Sequence, residues 1–201
     1  MPQIKKTKIE LKAQRDALQR FERFLPMLQL KKQQLQAEIQ SVQLAVEKNR
    51  VEAAALVNAS RAWSALLAED PARLKSLTAL ESVETSDDNI AGVIIPVFES
   101  AVFRSEELDL FETPPWLEEA RDLIKSLAAL LIRRRILERQ NALLEEELRV
   151  TSQRVNLFEK VKIPESKEKI RIIKIFMGDL MTAEVARGKA AKKVGKREDA
   201  A

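Results

Sequence analysis

The sequence contains no cysteine and no histidine. These two absences exclude disulfides, thiol nucleophiles, the common zinc ligand sets and the usual general base. Glycine is scarce, at four residues, and aromatics make up only 4%, too few for an ordinary compact globule. No apolar run approaches the roughly 20 residues of a membrane span; LAALLI at 127–132 is among the longest. Residues 1–20 carry no apolar signal-peptide stretch. A soluble, cytoplasmic protein is therefore expected.

What is present is charge and aliphatic residues. Charged side chains are 33% of the chain and apolar ones 45%, a mixture typical of long helices and coiled coils and too apolar for disorder. With Ile4 at position a of a heptad, the a series reads Ile4, Leu11, Leu18, Leu25, Lys32, Ile39, Val46, Ala53, Ser60. The d series reads Thr7, Gln14, Phe21, Leu28, Leu35, Val42, Asn49, Leu56, Trp63. One unbroken phase predicts a coiled-coil helix about 90 Å long at 1.5 Å per residue, interrupted in its hydrogen bonding by Pro26.

A second seam runs Leu127, Leu130, Arg134, Leu137, Asn141, Leu144, Leu148, Thr151, Val155, Phe158. After Pro164 the stripe resumes one residue out of phase, at Ile170, Ile173, Met177 and Leu180. Proline in a helix interior costs about 3 kcal/mol, because it lacks the donor and crowds the preceding turn. A kinked but continuous helix is the preferred reading. The alternative is a stop at Ile163 and a restart with Pro164 in the first turn, aided by Glu165 and Glu168.

The middle of the chain differs in character. Asp70-Pro71 is a capping residue followed by proline, a good start for a short helix. In residues 81–104 the helical period is lost, SDDN is turn material, and VIIPVF and AVF favour strands. A small β-hairpin is expected, with Pro96 at an edge or bulge. Thr113-Pro114-Pro115 then opens the second long helix. The fold class is mainly α, an antiparallel two-helix coiled coil with a small α/β-hairpin lobe at one end and both termini at the other. The segments are 1–66 (first helix), 67–113 (lobe), 114–187 (second helix, broken near Pro164) and 188–201 (basic flexible tail). Pairing residues whose numbers total about 190 sets a against d. It places Asn49 opposite Asn141 as a register-setting polar layer, Trp63 opposite Leu127 and Pro26 opposite Pro164; a slip of seven residues keeps the same layers.

The chain offers little chemistry. The tail GKAAKKVGKR has six residues between Gly188 and Gly195 where a phosphate loop has four, and Arg197 where that loop has Ser or Thr. Glu106-Glu107, Glu118-Glu119 and Glu145-Glu146-Glu147 lie in charged contexts and read as solvated helix faces. Arg133-Arg134-Arg135 reads as a core-edge arginine with two outward neighbours, or as a contact for an acidic partner. Arg187, Lys189, Lys192, Lys193, Lys196 and Arg197 form a basic end without interleaved aromatics, which disfavours nucleic-acid binding. No catalytic, metal or cofactor residue is assigned, and a non-enzymatic role is expected.

Two stretches carry a family resemblance. RVNLFEKVKIP at 154–164 resembles the R-V-N-A-L-E segment followed by Ile-Pro of the D subunit of V-type and archaeal A-type rotary ATPases. NIAGVIIPVF at 89–98 resembles the N-I-x-G-V-x-x-P segment of the same family. The order of segments agrees over nearly the whole chain. The departures are Leu157-Phe158 in place of Ala-Leu, and Pro26 within the first helix. The matching positions are Asn89, Ile90, Gly92 and Pro96, and Arg154, Val155, Asn156 and Glu159.

The resemblance implies a non-catalytic central-stalk axle that couples ATP hydrolysis or synthesis to rotation of a membrane ion-translocating ring. It implies that the termini meet the catalytic and nucleotide-binding subunits of the head. The central lobe would lie near the small F subunit of the stalk and the funnel-shaped subunit above the ring. The protein would then be peripheral to the membrane on its cytoplasmic side, with no cofactor, no direct nucleic acid and no span of its own. The alternatives from other classes are a free-standing coiled-coil adaptor or tether, and a basic helical nucleic-acid binder.

Overall fold

The computed structural model describes residues 5–61, 64–104 and 113–198, with side chains described as far as residue 192. In chain order the elements are α1 (Lys8–Ser60), a 3-10 turn (Ser64–Ala68), α2 (Pro71–Leu77), β1 (Leu80–Ile90), β2 (Val93–Phe103), α3 (Pro115–Leu157), a π-helical turn (Phe158–Lys162) and α4 (Ile163–Glu198). The chain divides into two compact units, Met1–Leu30 with Thr151–Ala201, and Lys31–Val150. These units cut across the four segments read from the sequence, because the lobe belongs with the helices beside it. The expected pairing of Trp63, and Glu106-Glu107, lie outside the described residues.

In the first unit the early part of α1 runs antiparallel to α4. Lys6 Nζ lies 4.8 Å from the centroid of the Phe176 ring, and Glu22 pairs with Lys167 at 3.1 Å. Phe21 meets Phe158 with ring centroids 5.1 Å apart, tilted by 50°, a favourable aromatic geometry. Pro26 and Pro164 are both solvent-exposed. Neither faces a seam, so the expected pairing of the two prolines is not formed.

The helix continues through the Pro164 region by way of the π-turn. The Ile163 N–H reaches back five residues to the Phe158 carbonyl instead of four. The buried and half-buried seam residues are Thr151, Val155, Phe158, Lys162, Ser166, Ile170 and Ile173. Their successive spacings of 4, 3, 4, 4, 4 and 3 contain one residue more than the alternating pattern of a 3.5-residue repeat. A π-turn accommodates one inserted residue within a helix. The phase change seen in the sequence is thus absorbed in the turn just before Pro164. After it, Glu165 pairs with Lys169 at 2.7 Å and Glu168 with Arg171 at 2.6 Å, steadying the first turns of α4. These hydrogen bonds hold both carboxyls below the ordinary glutamate range.

In the second unit, Leu35, Ile39 and Val42 of α1, Leu144 of α3 and Ile95 of β2 form one buried cluster, with Val46, Ile90, Ala91, Val93, Leu137, Leu143 and Leu148 packed against it. A second cluster joins Leu74 and Leu77 of α2 to Leu117 and Ala120 at the start of α3. Asp70 caps α2, its Oδ1 accepting from the Arg73 N–H at 3.0 Å.

The Asn49–Asn141 layer is not formed. Asn141 Nδ2 donates to Glu145 Oε1 at 2.7 Å, and both amide atoms of the buried Asn49 lack partners among the described residues. The pairing expected from heptads also fails, because Lys31 and Glu147 are bonded at 2.6 Å. The expected register separates them by about 18 Å along the helix axes. Repeating heptads give similar seams at several offsets, and the hairpin adds a third surface that helps to select one.

Candidate interaction surface

The two strands pair antiparallel, with Ile90 opposite Val93. This leaves a two-residue turn at Ala91 and Gly92, whose φ values are +52° and +83°, the signature of a type I′ turn. Asn89 Oδ1 accepts from the Gly92 N–H at 2.9 Å and holds the turn closed. Three of the motif positions are therefore explained by packing and turn chemistry: Asn89 fastens the turn, Ile90 enters the core and Gly92 supplies the positive φ.

Pro96 completes the motif. Counting from a hydrogen-bonded closing pair at Ile90 and Val93, alternate pairs are non-bonded, and Asp87 opposite Pro96 is one of them. At such a position the backbone faces away from the partner strand, so the missing donor of proline costs the ladder nothing. The Pro96 carbonyl, turned the same way, accepts a hydrogen bond from Nε2 of the buried Gln140 on α3. The expectation of an edge position thus holds.

The lobe does not sit beyond the end of the helices within this unit. At the hairpin base, Lys125 Nζ bonds the Arg104 carbonyl at 3.4 Å and lies 5.9 Å from the Phe103 centroid. In the middle Pro96 meets Gln140. At the tip, a Cβ built on Gly92 comes 4.0 Å from Lys31 Nζ, which itself pairs with Glu147. From Lys125 to Glu147 is about 33 Å of helix, close to the roughly 36 Å of an 11-residue strand. The hairpin therefore lies along α3, with β2 inward and β1 outward.

Burial decides what holds it there. Ile95 is 2% exposed and Leu35 and Leu144 are 0%, each worth about 1.5–3 kcal/mol. The half-exposed Lys31–Glu147 pair adds at most about 1 kcal/mol. Apolar packing fastens the hairpin, and the polar contacts fix its height. Gln140 and Lys31 were not singled out in the sequence, where Gln140 is one polar residue in a polar run.

The second motif belongs to the first unit and has the opposite character. Val155 is buried, but Arg154, Asn156 and Glu159 are exposed, and their side chains enter no hydrogen bond or ion pair among the described residues. The π-turn begins at Phe158, so Glu159 lies within it. Leu157, where the resembling family has Ala, is 43% exposed, whereas Phe158 is the seam residue packed on Phe21.

The remaining charged groups are mostly satisfied locally. Glu118 pairs with Arg121, Glu146 with Arg149 and Arg134 with Glu138, while Arg133 and Arg135 are exposed. Among the described residues no cluster of acidic side chains could hold a metal ion, and no helix is long and apolar enough to cross a membrane.

The model of the ATP synthase D-subunit family matches residues 10–193. The chain belongs to this family. It is 42% identical over 192 residues to the V-type ATP synthase D subunit of Borreliella burgdorferi, covering 96% of this chain and 95% of the relative. It is 35% identical over 195 residues to the V-type ATP synthase D subunit of Chlamydia trachomatis, covering 95% of each. The Chlamydia pneumoniae D subunit is also 35% identical, with 95% of this chain and 92% of the relative covered. For this family member, the hairpin motif is accounted for by internal packing. The exposed part of the RVN segment has no internal account.

Proposed function

We propose that this chain is the non-catalytic central-stalk rotor subunit of a V-type ATP synthase, coupling ATP chemistry in a catalytic head to rotation of a membrane ring. Family membership at 42% identity over nearly the full length carries this reading. The physical form suits it: paired helices resist twisting better than a single one, and their faces are chemically unequal. Each orientation of such a shaft favours a different nucleotide state at each head interface through differential contact. ATP hydrolysis and ion movement belong to other subunits in this proposal, and the chain itself binds no cofactor.

The partners proposed are the head's catalytic and nucleotide-binding subunits for the terminal half, and the small F subunit with the funnel-shaped ring-binding subunit for the hairpin half. In this proposal the chain works at the cytoplasmic face of the membrane. Arg154, Asn156 and Glu159 are proposed contacts, because they are displayed without internal partners. Affinity purification of the full-length chain from its native cells tests the assignment. The expected result is near-stoichiometric recovery of ATPase head subunits. Recovery of the chain alone, under conditions that keep the ATPase complex intact, would favour the free-standing adaptor.

A further inference from the structure

The two edges of the hairpin have different fates. The outward groups of β2 face α3, where Gln140 takes the Pro96 carbonyl. From Leu80 to Asn89 every residue of β1 is exposed, and no third strand among the described residues pairs with it. At the tip the Asp88 carboxylate accepts from the Asn89 N–H at 2.7 Å, blunting that end. Thr85 and Asp87, opposite Phe98 and Pro96, are the non-bonded positions below it. Their N–H and C=O groups point out of the ribbon. Uncovered edges of this kind are templates for strand addition.

The charge on this edge is of one sign. The ribbon 80–103 holds Glu81, Glu84, Asp87, Asp88 and Glu99 and no Lys or Arg, in a chain whose net charge is +4. None of these five carboxylates enters an ion pair among the described residues. Glu84 and Glu99 are held across the strands by Ser100 and Ser86 at 2.6 Å. Four carboxylates along β1 repel a second copy of the same edge, and favour a cationic strand.

We infer that β1 is a docking edge for an extended, Lys- or Arg-bearing segment of a partner polypeptide, which adds as a third strand over Val83–Asp87. Main-chain bonds at Thr85 and Asp87 supply the affinity, and the carboxylates select the partner's charge. The inference goes beyond the rotor assignment and stands without it.

The test uses the full-length chain and an eight-residue peptide alternating lysine with threonine, followed by amide hydrogen exchange in NMR. The peptide is expected to slow exchange at Thr85 and Asp87, with binding that weakens as salt rises. A glutamate–threonine peptide of the same length is expected not to bind. Thr85→Pro removes one outward donor without removing a charge, and is expected to weaken binding at least tenfold. The double variant Glu84→Lys, Asp87→Lys keeps the backbone donors and is expected to abolish binding. Binding without protection at Thr85 and Asp87 would be diffuse charge attraction and would overturn the inference. So would full affinity in Thr85→Pro with its hairpin intact, or a dimer of the chain that protects the same amides without peptide. If Thr85→Pro disturbs the hairpin, undiminished binding by the charge-reversed variant overturns it alone.

Discussion

Gly92 stands at φ +83° in a turn whose other central residue, Ala91, is at φ +52°. A side chain at Gly92 has room, since its nearest neighbour is 4.0 Å away at the flexible end of Lys31. The cost of Gly92→Ala is therefore in the backbone, about 1–2 kcal/mol for a left-handed residue. Urea unfolding should show that loss with helix content unchanged; a loss below about 0.3 kcal/mol would contradict the turn assignment. Arg154, Asn156 and Glu159 behave differently. Exposed and without partners among the described residues, they should be replaceable together by alanine with little change in stability, roughly 0.5 kcal/mol for each. The same triple variant should assemble poorly into the ATPase complex, as read by subunit recovery on purification. Normal recovery would remove them from the interface.

The elements show what a single sequence can and cannot specify. The hairpin was legible from its β-branched stretches, but its turn was misplaced. SDDN, read as turn material, lies within β1, and the chain reverses at Ala91-Gly92. The helix start at Asp70-Pro71 was legible because capping chemistry is local. The π-turn was legible in part, since the stripe changed phase by one residue near Pro164. Its form was not, because proline suggests a kink before it suggests a π-turn upstream. The seam, and not the proline, demands the insertion. Accordingly, Pro164→Ala is expected to keep Ser166, Ile170 and Ile173 in the seam, with the π-turn retained, as measured by amide and methyl NMR. Exposure of Ile173 in that variant would show that the proline sets the phase. Coil register was not legible because heptads repeat and the Asn residues expected to fix it bond elsewhere or not at all. Where the hairpin lies was equally hidden, since it depends on Gln140 meeting a carbonyl 44 residues away in sequence.

At the scale of the molecule the residues with an internal role and those without one separate cleanly. Asn89, Ile90, Gly92 and Pro96 build and seat a hairpin, while the side chains of Arg154, Asn156 and Glu159 bond to no side chain or backbone group among the described residues. A rotor subunit requires both, a rigid body and displayed contacts. The absence of cysteine makes a direct test practical, because Glu81→Cys creates a single thiol on exposed β1. A bead is attached there in a complex immobilised through its catalytic head, and ATP is added. The expected result is unidirectional rotation of the bead relative to the head, at a rate that follows ATP concentration. A bead that stays fixed to a head actively hydrolysing ATP would contradict it.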